Sequence, residues 1–158
     1  NEDVLIGTLG KAFGTFGAFV ASSQNTIEWL IQKAHSYIYT TALPPAIAEA
    51  TRVSLQLINQ ESWRREHLQA LIKYFQDCCV QIGIKVPHSE TPIQPIFLDS
   101  SENSLHASDQ LLNAGILVPA IRPPTVPINT ARLRVSFSAA HTKSHVEQLI
   151  AALEQSLK

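Results

Sequence analysis

Four glycines fall within eleven residues, at Gly7, Gly10, Gly14 and Gly17, directly behind the apolar run Val4-Leu5-Ile6. A short continuous apolar run of this kind reads as a strand buried on both faces. The glycines then make a compact turn, and Gly17-Ala18-Phe19-Val20-Ala21 reads as a second strand. One lysine sits in the turn, within Thr8-Leu9-Gly10-Lys11-Ala12-Phe13-Gly14. A nucleotide-phosphate loop needs Ser or Thr after the lysine, to hold magnesium, and a helix after the loop. Here Ala12 follows Lys11 and a strand follows the turn, so both requirements fail. A lysine that forms an imine fits better. It needs a rigid backbone and small neighbours so that a flat carbonyl compound such as pyridoxal phosphate can come close. Thr8, three residues earlier, offers a hydroxyl to a phosphate from the same side. A surface lysine in a glycine-rich turn explains the same residues about as well on composition alone.

The rest of the chain reads as two further stretches. Ile27 to Ala34 is a short helix with Asn25 or Thr26 as N-cap, and the aromatic, threonine-rich segment His35 to Leu43 ends at Pro44-Pro45. A helix from Pro45 carries Ala46, Ala50, Val53 and Leu57 on one stripe; a second stripe holds Leu68, Leu71, Phe75 and Ile82. The polar Asn59-Gln60-Glu61-Ser62 between them places a domain boundary near residue 60, giving domains 1–60 and 61–158. Beyond Gly83, strands are expected at Ile93 to Leu98, at Ile116-Leu117-Val118 and, from its alternation, at Arg132 to Phe137. A helix from Leu105 to Asn113 closes at Gly115, and a last helix starts near Thr142. Arg122 to Pro127, with three prolines, is a rigid loop. The fold class is therefore α/β, its second domain a small α+β layer with an antiparallel sheet and helices on one face.

Composition excludes several function classes. With 45% hydrophobic and 16% charged residues and a net charge of -1, the chain has a globular balance and no basic stripe for nucleic acid. No apolar run approaches the roughly 18 residues of a membrane span. The two cysteines, Cys78 and Cys79, are adjacent, which rules out a disulfide framework, makes a poor zinc site and suits a reducing, cytoplasmic setting. His141 and His145, four apart at a helix start, lack a third metal ligand, and they read as surface histidines at a helix terminus. The chain opens at Asn1, almost inside a strand, which suggests a cut piece of a longer protein.

Four segments resemble the α-oxoamine synthases, pyridoxal-phosphate enzymes of the aspartate-aminotransferase fold. They are Asp3 to Gly14, Tyr37 to Ala46, Ala120 to Pro127 and Thr130 to Val135, matching in order and spacing. The loop from Ile121 to Pro127 is most similar to the branch that condenses L-alanine with a pimeloyl thioester, and less so to the branches making aminolevulinate, aminoketobutyrate or ketosphinganine. The resemblance implies the end of the cofactor-binding large domain followed by the C-terminal small domain. It implies that Lys11 forms the imine with pyridoxal phosphate and takes the substrate's α-proton, and that Thr8 meets the phosphate. Thr40 and Thr41 would reach the phosphate of a partner subunit's cofactor, making the enzyme a homodimer. Arg134 would hold the amino-acid carboxylate, Thr125 would touch substrate and Arg122 would meet the far carboxylate of the acyl chain. These 158 residues would hold the lysine without most of its pocket and show no activity alone.

Plainer readings stand beside these. Arg134 on the polar face of a strand suits a solvated residue, Arg122 a loop cap, and Thr40 and Thr41 ordinary β-formers. A standalone interaction domain that has kept an enzyme's sequence is the alternative from another function class.

Overall fold

The structure is a computed structural model, described for residues 3–157. The chain divides into two compact units, one up to Ser62 and one from Trp63 onward.

In the first unit, β1 (Leu5–Thr8) and β2 (Ala18–Ala21) form an antiparallel ribbon with Leu5 opposite Ala21 and Thr8 opposite Ala18. Three helices follow: α1 (Gln24–Lys33), α2 (His35–Ile38) and α3 (Pro45–Gln60). The N-cap of α1 is Ser23, whose hydroxyl accepts the Thr26 N–H, rather than Asn25 or Thr26. Proline opens α3 because the missing N–H is one that no helix start can satisfy internally. The expectation that β1 is buried on both faces is not met: Leu5 is 61% and Ile6 68% exposed. Among the described residues the ribbon has two strands, so neither strand is flanked on both sides. None of this unit's described residues is fully buried, although Phe16, Trp29 and Tyr37 are large and apolar.

The second unit has its own core. Its elements are α4 (Trp63–Gln81), β3 (Ile93–Asp99), α5 (Ser101–Asn113), β4 (Ala120–Ile121), β5 (Ala131–Ser136) and α6 (Lys143–Ser156). The antiparallel sheet runs β3-β5-β4. Alternation along β5 buries Ala131, Leu133 and Val135 while Arg134 and Ser136 face water. Against that inner face pack Phe75 of α4, Leu111 of α5 and Leu153 of α6, each fully buried. Full burial of one such side chain contributes about 1.5–3 kcal/mol. Phe75 and Phe137 meet edge to face at 5.2 Å. Thr142 caps α6 by accepting the His145 N–H, and the His145 ring accepts the Thr142 N–H in return. Pro95 lies mid-strand in β3, opposite Arg134 of the central strand, and leaves β3 as a sheet edge. No described helix is long and apolar enough to cross a membrane.

Ile116-Leu117-Val118 is not a strand. The Ile116 N–H bonds to Leu111 O at 2.8 Å and the Gly115 N–H to Leu112 O at 2.9 Å, with Gly115 at φ 80°. These bonds close the end of α5 in a Schellman motif. Val118 O accepts the Ser108 hydroxyl at 2.7 Å. Both ends of the segment are thus bonded to the helix it follows, and the strand begins at Ala120.

The adjacent thiols differ. Cys79 is fully buried and its thiol is pushed up to about 12 by that burial, with a smaller contribution from Cys78. Cys78 is only partly buried. Native protein is therefore expected to react with Ellman's reagent at one thiol per chain, and at both in denaturant; two rapid equivalents under native conditions would contradict the buried placement.

Candidate active site

Lys11 stands on a turn held from both ends. The Leu9 N–H donates to Gly17 O, the Thr15 N–H to Leu9 O and the Gly14 N–H to Lys11 O, each at 2.9 Å. Two glycines permit the path: Gly14 has φ 64° and Gly17 φ 108°, and a Cβ at Gly17 would also lie 3.1 Å from Leu43 Cδ1. The turn is tied to α3 as well. Thr51 Oγ1 bonds Thr15 Oγ1 at 2.9 Å, and the Ser54 hydroxyl donates to Phe13 O at 2.7 Å. Thr15, Thr51 and Ser54 brace the turn through contacts that the sequence reading missed. The available signal was a pair of hydroxyls three apart beside the apolar stripe of α3.

The Lys11 side chain is exposed and has no hydrogen bond or ion pair among the described residues. Thr8, also exposed, ends β1 at the mouth of the same turn. A primary amine without a counter-charge on a braced backbone, with a hydroxyl at the strand end beside it, suits an aldehyde cofactor bearing a phosphate. Thr40 and Thr41 are exposed in the segment between α2 and α3, with the Thr40 N–H 3.5 Å from Tyr37 O.

In the second unit the sheet gathers the arginines. Arg134 projects from the outer face of β5, its own N–H bonded to Pro119 O at 2.9 Å. Its side chain is exposed and without a hydrogen bond or ion pair among the described residues, as is that of Arg122. Arg122 opens the proline loop, where its carbonyl accepts the Thr125 N–H at 3.0 Å and Pro123-Pro124 is cis; Thr125 is exposed at the turn. The His141 and His145 rings are occupied otherwise: Nδ1 of His141 accepts the Ser138 N–H at 3.0 Å, and that of His145 serves the α6 cap.

Comparison with known proteins follows the same line. The chain is 52% identical over 155 residues to 8-amino-7-oxononanoate synthase of Thioalkalivibrio sulfidiphilus, covering 98% of this chain and 40% of that protein. Against the enzyme of that name in Pseudomonas savastanoi pv. phaseolicola it is 57% identical over 152 residues, covering 96% and 38%. The chain thus spans about two fifths of the length of these relatives. Among solved structures, 8-amino-7-oxononanoate synthase from Francisella tularensis superposes with a TM-score of 0.86 at 32% identity, over 98% of this chain and 45% of that one. Sphingomonas wittichii serine palmitoyltransferase superposes with a TM-score of 0.88 at 27% identity, over 98% and 39%. The profile of the family named aminotransferase class I and II matches residues 1–153. On that match, which leaves out only a few residues of α6 and its end, the chain belongs to the aminotransferase class I and II family.

Proposed function

We propose that the chain is the C-terminal part of a pyridoxal-phosphate-dependent 8-amino-7-oxononanoate synthase, which joins L-alanine to a pimeloyl thioester with loss of CO2 in biotin biosynthesis. The observation that carries this reading is the 52–57% identity to enzymes of that name over nearly the whole chain. Residues up to about 60 are read as the end of the cofactor-binding large domain, and the rest as the small domain.

Pyridoxal phosphate, when bound, supplies an electron sink for negative charge at the amino-acid α-carbon. This chain's residues would supply part of the remaining machinery. Lys11 Nζ would be the covalent anchor and would then carry the α-proton. Thr8 holds the cofactor phosphate, and Thr40 and Thr41 hold that of the partner subunit in a homodimer. Arg134 would hold the alanine carboxylate with its planar fork and so orient the α-carbon. Arg122 meets the far carboxylate of the pimeloyl chain, and Thr125 touches the substrate beside it.

The full-length enzyme, loaded with pyridoxal phosphate, is expected to release one CoA and one CO2 for each alanine and pimeloyl-CoA consumed. A higher kcat/KM with glycine and acetyl-CoA, glycine and succinyl-CoA, or serine and palmitoyl-CoA would overturn the substrate assignment.

A further inference from the structure

Arg132 lies on the same outer face of β5 as Arg134, two residues earlier, and differs from it in being held. Its guanidinium carbon sits 4.4 Å from the centre of the Phe97 ring, and its Nε donates to Thr130 O at 2.9 Å. Stacking and a backbone bond fix the plane of the fork in advance, which lowers the entropy lost when it binds an anion. The two terminal nitrogens have no hydrogen-bond partner among the described residues. The register adds no counter-charge. Phe97 and Ile121 stand opposite Arg132, while Pro95 stands opposite Arg134.

Arg132 is also where both stems of the proline loop meet. The incoming stem pairs there, Ile121 opposite Arg132, one residue before Arg122. The outgoing stem is bound there through Thr130, whose hydroxyl in turn donates to Pro127 O at 2.7 Å. A fixed, half-buried cation with two free terminal nitrogens thus sits at the base of the loop that carries Arg122 and Thr125.

We infer that Arg132 is a second guanidinium for the far carboxylate of the acyl substrate, acting beside Arg122 and setting the preference for an acyl chain that ends in a carboxylate. This rests on the proposed synthase reading. It differs from a bracing role, because a brace would serve every acyl chain alike.

The test compares pimeloyl-CoA with heptanoyl-CoA, which has the same chain length and no terminal carboxylate, in the full-length enzyme with alanine. Arg132→Gln is expected to lower the ratio of kcat/KM for pimeloyl over heptanoyl by about tenfold or more, the effect of one charge-assisted hydrogen-bonded contact, with the alanine KM within about twofold of wild type. Phe97→Leu frees the guanidinium from its stack without removing it. It is expected to lower the same ratio by a smaller factor, and it carries the test if Arg132→Gln fails to fold. Equal losses on both thioesters, an unchanged ratio, or a rise in the alanine KM instead would each overturn the inference. A wild-type enzyme that consumes neither thioester with alanine would overturn the synthase reading itself, a separate failure.

Discussion

Replacing Lys11 by alanine in the full-length enzyme is expected to lower kcat by at least a hundredfold while leaving the far-UV spectrum and the melting temperature of the cofactor-free protein unchanged. Two losses coincide. The covalent anchor for the cofactor disappears, and so does the group that carries the α-proton; loss of a general base alone typically costs 10²–10⁴-fold. The fold is indifferent to the change for a reason visible in the turn. Its hydrogen bonds run through the backbone of Leu9, Lys11, Gly14, Thr15 and Gly17 and through the Ser54 hydroxyl, and none uses the lysine side chain. Single-turnover and steady-state rates on alanine and pimeloyl-CoA check the prediction. More than about one hundredth of the wild-type kcat in Lys11→Ala would remove Lys11 from the chemistry.

Arg134→Ala and Arg122→Ala are expected to fail on different substrates. Arg134 stands on the central strand of the sheet with Leu133 and Val135 buried on either side, so its backbone is fixed and its fork can hold a small carboxylate in one orientation. A charge-assisted contact of that kind contributes on the order of 1.5–3 kcal/mol, so its removal raises the alanine KM by tens of fold. Arg122 stands on a loop stiffened by Pro123 and Pro124, outside the ladder, and on the proposed reading meets the longer acyl substrate. Arg122→Ala should raise the acyl-thioester KM and leave the alanine titration, followed by cofactor absorbance, nearly as in wild type. If both substitutions raised the alanine constant equally, the division of roles would be wrong.

The sequence was most readable where one short rule decides the backbone. The alternation of Leu133, Val135 and Phe137 with polar residues specifies β5 and its buried face, and Thr142 marks the start of α6 because its hydroxyl can serve a helix N–H. Glycine at position 115 closes α5 as expected. Reading failed where local pattern and long-range partner disagree. Ile116-Leu117-Val118 has the composition of a strand, but the cap of α5 claims the first of its N–H groups. Val4-Leu5-Ile6 has the composition of a buried strand, and in a two-stranded ribbon its side chains stay exposed. The turn around Lys11 was legible as residue types, and its support was not. Thr15 with Thr51, and Phe13 with Ser54, meet across 36 and 41 residues, a pairing no local spacing encodes. Arg132 looked like one more polar residue of an alternating strand until Phe97 was found beneath it.

Pro95 bears on how this sheet behaves toward other chains. Opposite it, the Arg134 N–H points away toward Pro119, so the position is a non-bonded pair of the β3-β5 ladder, and the donor that proline lacks belongs to the outer rim of β3. A foreign strand laid along that rim would meet a missing donor at its centre and could not build an unbroken ladder. Among the described residues, the proline that seems out of place in a strand therefore leaves this rim unable to carry a continuous ladder with a further strand.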